Sequence, residues 1–312
     1  INLMGKSYRK FGWKAIFVDT DNPEDFRRAV TENTRAIFIE NLANPGGVVA
    51  DLEAIAKVAN EAGVPLVVDN TMATPFLSQP IEWGADIVVH STTKFLSGQG
   101  NALGGVVIDS GKFPWLGNSK YPSLSEPSPE YNGLTFAETF GDLAYTMYSH
   151  AISLRDLGCS QSPMNAWITL NGIETLPLRI ERHCSNALAV AQFLEKHPNV
   201  EWVSHAGLES SPYYELGKKY LPDGTGSVFT FGVKGGYESG LKMLETVELF
   251  SHVANIGDTH SLILHPASTT HRQLSKEQLI TAGAGPEVVR LSIGIECAED
   301  LIADLDQALK RL

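Results

Sequence analysis

Short apolar runs alternate with helix-patterned stretches over residues 1–110. The apolar runs lie at residues 36–40, 65–69, 87–90 and 105–108. Residues 51–62 carry apolar side chains at helical spacing, and this pattern ends at Gly63. Runs that are apolar throughout and separated by helices indicate a largely parallel sheet covered on both faces. We therefore expect an α/β fold in which ligands bind at the carboxyl ends of the strands.

The middle of the chain is first irregular and then helical. Residues 113–136 are rich in Pro, Ser, Gly and Tyr, which predicts a long surface excursion able to line a site. Residues 163–194 predict a nearly continuous helix. Gly172 and Pro177 are the expected breaks in it, because neither residue favours a helix interior.

The last third of the chain mixes isolated strands with helices. The strands are predicted at 227–231 and 289–293, and the helices at 238–250 and 300–312. This mixture indicates a smaller α+β domain that begins along the long helix. We predict a large domain over residues 1–183 and a small domain over residues 184–312.

The composition excludes several classes of protein. With 312 residues, 43% hydrophobic and 19% charged, the chain can bury a substantial core. Its net charge of −12 opposes binding to nucleic acids or anionic membranes. Neither the three cysteines nor the histidines have the spacing of a metal site, and there is no apolar run of about 18 residues. We expect a cytoplasmic protein without a bound metal and without nucleic-acid or membrane partners.

A carboxylate, two hydroxyls and a lysine follow neighbouring predicted strands. Asp69 ends one strand, and Ser91, Thr93 and Lys94 follow the next. This group meets the three demands of pyridoxal 5'-phosphate (PLP): a lysine for its aldehyde, a carboxylate for its ring nitrogen and donors for its phosphate. Ser91 and Thr93 alternate around the turn before Lys94, where both hydroxyls can reach one phosphate. The residues therefore favour a PLP site at this edge of the sheet.

Each of these residues also has an ordinary structural interpretation. A strand-end aspartate commonly caps a helix or turn, Ser and Thr commonly bond to the local backbone, and a single lysine is commonly solvated. The glycine pairs Gly98/Gly100 and Gly104/Gly105 do not match dinucleotide-loop spacing, and they predict tight turns. No G-x-S-x-G motif supports a serine hydrolase. His90, His265 and His271 are expected in core or turn positions.

Several sequence blocks, in one order along nearly the whole chain, resemble the Cys/Met-metabolism family of PLP-dependent enzymes. These blocks are residues 40–45, 68–71, 91–95, 172–176, 179–184, 265–271 and 289–296. The resemblance implies fold type I of the PLP-dependent transferases, the aspartate aminotransferase-like α/β fold, with residues 1–183 forming the PLP-binding domain.

The resemblance also implies roles for individual residues. Lys94 would form the Schiff base with PLP and shuttle protons between substrate carbons, and Asp69 would pair with the pyridinium nitrogen. Asn44 would hydrogen-bond the ring oxygen, while Ser91 and Thr93 would hold the phosphate.

Two further residues would bind the substrate. Arg290 would take the α-carboxylate, for which its fork of donors is suited, although without the family a surface ion pair would be the simpler interpretation. Other members usually have serine where this chain has Asn255, which is expected to help seat the same carboxylate through its amide.

Within the family, the insert after Lys94, residues 255–258 and the ending 303–309 resemble the O-acetylhomoserine sulfhydrylase branch. The implied reaction is γ-replacement on O-acetylhomoserine by sulfide or methanethiol, giving homocysteine or methionine and acetate. A cystathionine γ-synthase or methionine γ-lyase reaction is the nearest alternative.

Other family features are not found in this sequence. A glycine-containing phosphate loop, a tyrosine that stacks on the cofactor and a Tyr/Arg pair that reaches the neighbouring subunit lie upstream in relatives. The chain starts at Ile1, so we expect it to lack roughly the family's first quarter. A non-catalytic, incomplete assembly partner is therefore a further alternative. By resemblance alone, we expect a homotetramer built from dimers with shared active sites.

Overall fold

A computed structural model describes residues 3–44, 47–273, 275, 277, 279 and 282–312. The strands are β1 (Ile37–Glu40), β2 (Leu66–Asp69), β3 (Ile87–Ser91), β4 (Gly105–Asp109), β5 (Val200–Ser204), β6 (Val228–Val233), β7 (Ser251–His252), β8 (Leu262–Leu264) and β9 (Val288–Ser292). The helices are α1 (Pro23–Ala29), α2 (Leu52–Glu61), α3 (Thr74–Leu77), α4 (Pro122–Ser125), α5 (Phe136–Phe140), α6 (Ala144–Ser149), α7 (Pro163–Glu174), α8 (Leu176–Glu195), α9 (Tyr214–Tyr220), α10 (Gly236–Thr246) and α11 (Ala298–Leu309).

The first sheet has the strand order β1-β2-β3-β4. Strands β1, β2 and β3 are parallel, as their uniformly apolar sequences predict. β4 runs antiparallel to β3, because the chain turns back after β3 without a helical crossover. Val106 and Val107 on β4 are also partly exposed, so the expectation of a sheet covered on both faces fails at this strand.

Helix α2 shows how the sequence builds the layer beside this sheet. The Asp51 carboxylate caps the helix by accepting a hydrogen bond from Ala54 N at 3.3 Å. Leu52, Ile55 and Val58 then lie buried on one side of the helix, within the same core cluster as strands β1 and β2. The predicted helix over 51–62 is therefore confirmed to within one residue at each end.

Residues 113–136 form a surface segment that is anchored by buried apolar residues. Phe113, Trp115, Leu124 and Phe136 are all buried in one cluster with Ile87 of β3. Aromatic rings at edge-on and tilted contacts fill this cluster, including Phe113 and Trp115 with centroids 4.4 Å apart. Many of the residues between them are exposed, so the predicted surface excursion is confirmed in part. The proline and glycine content concealed the apolar residues that anchor the segment in the core.

The second sheet has the strand order β5-β6-β9-β8-β7. The central strand β9 pairs antiparallel with both β6 and β8, and every residue of β6 is buried. Apolar residues from α8, α10 and α11 share its core cluster. The predicted mixture of strands and helices in the last third is thus present.

Helices α7 and α8 connect the two sheets. The predicted long helix breaks at Thr175, between the expected breaks at Gly172 and Pro177. The domain boundary after residue 183 would fall inside α8, and it stays a prediction. Within the described residues, none of the helices combines the length and apolar character needed to cross a bilayer.

Candidate active site

Three polar side chains share one face at the carboxyl end of the first sheet. Glu40 of β1 is the register partner of Asp69 of β2, and Asp69 is the partner of Val89 of β3. Side chains two residues apart in a strand point to the same face, so Ser91 lies on the face that carries Asp69. The topology thus brings the predicted ring-nitrogen partner and a predicted phosphate donor to one sheet edge.

Hydrogen bonds hold Asp69 and its neighbours in place. Asp69 Oδ1 accepts from Thr71 N at 3.0 Å, and Thr71 Oγ1 accepts from Ser91 N at 2.8 Å. The buried Asn70 amide donates to the carbonyls of Thr74 and Ser78 and accepts from Asn41 Nδ2 at 2.9 Å. Strand ends β1, β2 and β3 are therefore cross-linked around the carboxylate.

Lys94 lies in a helical turn, Thr92–Leu96, at which its own backbone departs from helical dihedral angles. Its half-buried Nζ donates to Asn255 Oδ1 at 2.5 Å, a contact between residues 161 positions apart. Burial lowers the pKa of Lys94, and the positive charge of Arg290 lowers it further. Both effects favour the free amine, which is the form that reacts with an aldehyde or takes a proton.

Arg290 projects from the central strand β9 toward the same region. Its Nη2 donates to the Asn255 carbonyl at 3.1 Å, and its Nη1 lies 3.4 Å from Asn44 Oδ1. Burial lowers the pKa of Arg290 to about 10. Among the described residues no carboxylate forms an ion pair with it. A partly buried guanidinium with only amide partners is suited to an added anion.

Asn44 and Asn255 differ in the side-chain atoms that remain for a ligand. Asn44 Oδ1 faces Arg290, and Asn44 Nδ2 has no partner among the described residues, so it can donate to another group. Asn255 Oδ1 faces Lys94, whereas its Nδ2 faces Gly100. A ligand carboxylate would have to meet Asn255 through Nδ2. Pro45, the last residue of the 40–45 block, lies outside the described residues.

Thr93 and Ser91, the two predicted phosphate donors, differ in whether their hydroxyl groups already have hydrogen-bond partners. Thr93 Oγ1 accepts from Gly104 N at 3.1 Å and lies 3.3 Å from the Gly104 carbonyl. It would have to exchange the bond to that carbonyl for one to phosphate. Ser91 Oγ has no partner within the described part of the chain, so it is free to donate.

Glu40 belongs to the site, although the sequence analysis gave it no role. Its carboxylate accepts from Asn44 N at 3.0 Å. Although the residue keeps an exposed surface, the surrounding protein removes enough water from the carboxylate to raise its pKa, and Asp69 adds to this effect. The available signal was its position at a strand end, directly beside Asp69 in the sheet register.

The histidines that flank these blocks are structural. His265 is fully buried, with Nδ1 3.0 Å from Ser268 Oγ and Nε2 2.9 Å from the Pro286 carbonyl. His90 is also buried, and burial lowers its pKa. The predicted turns at Gly98 and Gly100 are present, with positive φ at both residues.

The donor set fits PLP. One sheet edge carries a half-buried lysine with a lowered pKa, a carboxylate fixed by the backbone and a serine hydroxyl to which no described residue bonds. Asn44 Nδ2 supplies one more free donor beside them. The site is thus able to hold an aldehyde, a protonated ring nitrogen and a phosphate.

Comparisons with known proteins agree with this chemistry. The model of the Cys/Met metabolism PLP-dependent enzyme family matches residues 1–310. The chain is 49% identical to O-acetyl-L-homoserine sulfhydrylase of Leptospira meyeri, covering 100% of this chain and 72% of that protein. It is 47% identical to homocysteine synthase of Schizosaccharomyces pombe, covering 99% and 72%.

A solved structure extends the likeness to three dimensions. The crystal structure of a Campylobacter jejuni protein, assigned as an O-acetylhomoserine (thiol)-lyase, matches with a TM-score of 0.95 and 41% identity. The match covers 99% of this chain and 74% of that one, which contains a pyridoxyl-lysine monophosphate residue. The chain therefore belongs to the Cys/Met metabolism family of PLP-dependent enzymes and has its fold type I architecture.

Proposed function

We propose that the protein catalyses γ-replacement on O-acetyl-L-homoserine. Sulfide or methanethiol forms the new C–S bond at Cγ, acetate leaves from the same carbon, and the product is homocysteine or methionine. PLP, when bound, supplies an electron-withdrawing ring that makes the substrate's Cα–H bond acidic. The remaining chemistry is assigned to side chains of this chain.

Lys94 is the residue that moves protons. Its Nζ removes the proton from Cα and delivers and removes protons at Cβ, which requires the neutral amine. Burial and the nearby Arg290 both lower its pKa and so increase the fraction of that form at neutral pH. Asn255 Oδ1, 2.5 Å from Nζ, steadies the amine when it is not bonded to another group.

Arg290 orients the substrate by its α-carboxylate. Its guanidinium is partly buried without a carboxylate partner among the described residues, so a substrate carboxylate would satisfy it. Fixing the carboxylate fixes the direction of the Cα–H bond relative to Lys94. Asp69 pairs with the protonated ring nitrogen of PLP, and Asn44 hydrogen-bonds the ring oxygen. Ser91 and Thr93 bind the phosphate.

The observation that carries the proposal is the contact of Asn255 with both Lys94 and Arg290. Asn255 thereby connects the Lys94 amine, which moves protons, to the Arg290 guanidinium, which is suited to bind a carboxylate. The specific reaction is supported by the names of the relatives at 49% and 47% identity, a sulfhydrylase and a homocysteine synthase.

Product identification tests the proposal. The protein is incubated with PLP, O-acetylhomoserine and sulfide, and the products are identified by mass spectrometry. Homocysteine is the expected product, and Lys94→Ala should abolish it. Cystathionine formed from added cysteine in preference to homocysteine would indicate a cystathionine γ-synthase, and 2-oxobutyrate as the main product would indicate a γ-lyase. If none of these products forms, the chain is not an active enzyme as it stands.

We further propose that the protein forms a homotetramer in the cytoplasm. Met164, Trp167 and Leu170 of α7 are each more than 60% exposed, and such apolar helix surface is typical of subunit contacts. All three cysteines are free thiols, as in a reducing compartment. Sedimentation at micromolar concentration should give the mass of four chains, and a monomer would contradict the proposal.

A further inference from the structure

Helix α8 places an arginine against the segment that carries Lys94. Arg179 Nη1 donates to the Phe95 carbonyl at 2.9 Å, and Nη2 donates to the Gly172 carbonyl at 2.6 Å. Nε donates to Thr175 Oγ1 at 3.2 Å. Burial lowers the pKa of this guanidinium, and none of its bonds goes to a carboxylate. Its donors are therefore used on neutral oxygens, one of which belongs to the residue after Lys94.

Two glycines allow this close contact. A Cβ on Gly98 would lie 2.5 Å from Arg179 Nη1. A Cβ on Gly172 would lie 2.3 Å from the Leu96 carbonyl oxygen. Both distances are shorter than real Cβ contacts of that kind, so α7 and α8 both pack closely against residues 94–98.

The other side of the segment is also fixed. Gly98 N donates to the Lys94 carbonyl at 2.8 Å, and Thr259 N donates to the Gly98 carbonyl at 3.0 Å. A Cβ on Gly257 would lie 2.8 Å from Phe95 N. The backbone around Lys94 therefore has little room to shift unless a contact on the α8 side is released.

Helix α8 contacts the strand of Arg290 as well. The buried His183 ring lies edge-on to the Phe95 ring, with centroids 5.4 Å apart. Its Nδ1 bonds the Ile293 carbonyl at 2.6 Å, three residues after Arg290. One helix thus touches both the lysine segment and the end of the strand that carries the arginine.

We infer that Arg179 is a positioning residue that fixes Lys94 relative to Arg290 through the Phe95 carbonyl. This inference rests on the proposed role of Lys94. The planar guanidinium bonds three oxygens at once, in α7 (Gly172), at the break between α7 and α8 (Thr175) and in the lysine segment (Phe95). A lysine ammonium at the end of a flexible stem cannot reproduce this geometry. Loss of these bonds frees the lysine segment without removing any group from the site itself.

Two variants and one matched control test the inference. Arg179→Met removes all three bonds, and Arg179→Lys retains the charge alone. Arg182→Met is the control, because Arg182 is an exposed arginine on the same helix whose one side-chain hydrogen bond within the described residues goes to the Glu296 carbonyl. The first measurement is backbone hydrogen exchange in residues 93–98, compared with exchange in β6. The second is the rate at which added PLP forms an adduct with Lys94, trapped by borohydride.

In Arg179→Met, exchange in residues 93–98 should rise by at least about tenfold, as expected for loss of a charged hydrogen-bond donor. Exchange in β6 should stay unchanged, and adduct formation should slow. Arg179→Lys should lie between the wild type and Arg179→Met, and Arg182→Met should stay within about twofold of the wild type. The pH dependence of the adduct's absorbance should change in the two Arg179 variants and stay unchanged in Arg182→Met.

The inference is overturned by unchanged exchange in residues 93–98, by an equal rise in β6, or by an unchanged rate of adduct formation. The equal rise would mean that Arg179 serves only global stability. If the wild type itself forms no adduct, the proposed function fails. The exchange comparison then still decides whether Arg179 holds the lysine segment.

Discussion

At the scale of single residues, the site depends on two cations placed close together. Lys94 and Arg290 both contact Asn255, and both have lowered pKa values because the protein excludes water from them. Placing a lysine next to an arginine is unfavourable for folding but favours the reactive amine. The same pair therefore prepares the base and attracts the substrate's carboxylate.

Replacing Arg290 by glutamine should raise the pKa of Lys94. The positive charge of Arg290 is one of the two causes that lower that pKa, so its removal leaves burial alone. The rate at which an amine reagent labels Lys94, followed by peptide mass spectrometry against pH, measures the change. Arg155→Gln, an exposed arginine on another segment, is the control. An unshifted labelling profile in Arg290→Gln would show that the charges do not interact.

The contribution of Glu40 to stability should fall as the pH rises. Its folded pKa is raised above the ordinary value of 4.5, so between those two values the folded chain holds the proton more tightly than the unfolded chain. The contribution of Glu40 to the free energy of unfolding therefore falls as the pH increases through that window. Glu40→Gln has no such proton to lose and keeps an oxygen for Asn44 N. Urea unfolding at pH 4.5 and 7.5 gives the difference in free energy of unfolding between wild type and Glu40→Gln, in which the histidine contributions common to both proteins cancel. This difference should shift in favour of the variant as the pH rises, and an unchanged difference would refute the assignment.

At the scale of elements, the break between α7 and α8 positions the lysine segment. Thr175 ends α7 and precedes α8, and the Gly172 carbonyl and Thr175 hydroxyl are both bonded by Arg179. The bend lets both helices contact residues 94–98, α7 through Gly172 and α8 through Arg179. The sequence block 172–176 thus has a structural task close to the site.

Gly172→Ala should disturb this arrangement. The added methyl group would fall 2.3 Å from the Leu96 carbonyl oxygen, so the helix and the lysine segment must separate. We expect a loss of about 1–3 kcal/mol in the free energy of unfolding, typical of overpacking. Asn171→Ala, on the adjacent exposed position of α7, is the control and should change it by less than about 1 kcal/mol. Equal stability of both variants would contradict the close packing.

The sequence predicted the positions of strands and helices better than the directions of strands and the contacts of side chains. Strands β1 to β3 were predictable because buried parallel strands are apolar throughout, and α2 because of its spacing and cap. The direction of β4 depends on how the chain turns back after β3, and the pattern of apolar residues does not predict that turn. The burial of Phe113 and Trp115 depends on packing against β3, which no local signal shows.

The site was predictable to the same limited degree. Lys94, Asp69 and Ser91 follow strands that are neighbours in the sheet, so their meeting follows from topology. The contact between Lys94, which follows β3 of the first sheet, and Asn255, which lies between β7 and β8 of the second, depends on how the two sheets are placed relative to each other. Periodicity cannot predict that placement. Arg179 was within a recognised block, but its bond to Phe95 requires the three-dimensional fold.

At the scale of the whole molecule, buried histidines make stability depend on pH. His183 and His205 are almost fully buried, and burial lowers the pKa of each to about 4. In the unfolded chain both would titrate near 6.5, so between pH 6.5 and 4 the unfolded state binds more protons. Their contribution to stability is complete above pH 6.5 and is lost as the pH falls toward 4.

Acid should therefore destabilise the protein before most carboxylates are protonated. Each histidine can contribute a loss on the order of 3 kcal/mol between pH 6.5 and 4. Equilibrium urea unfolding of the wild type and His205→Gln measures this, and the variant should lose less stability on acidification than the wild type. His205 is the better position to test, because its bonds go to Gly207 N and the Gly226 carbonyl, away from Lys94. Parallel curves for the two proteins would contradict the assignment.

The account depends most on Lys94 being the lysine that holds PLP. The most direct measurement is to add PLP, reduce with borohydride, digest the protein and locate the added mass by peptide sequencing. The account predicts a single modified peptide that carries the pyridoxyl group on Lys94, and weaker labelling in Asp69→Asn. Modification of another lysine with Lys94 left unmodified, or no specific modification at all, would contradict it.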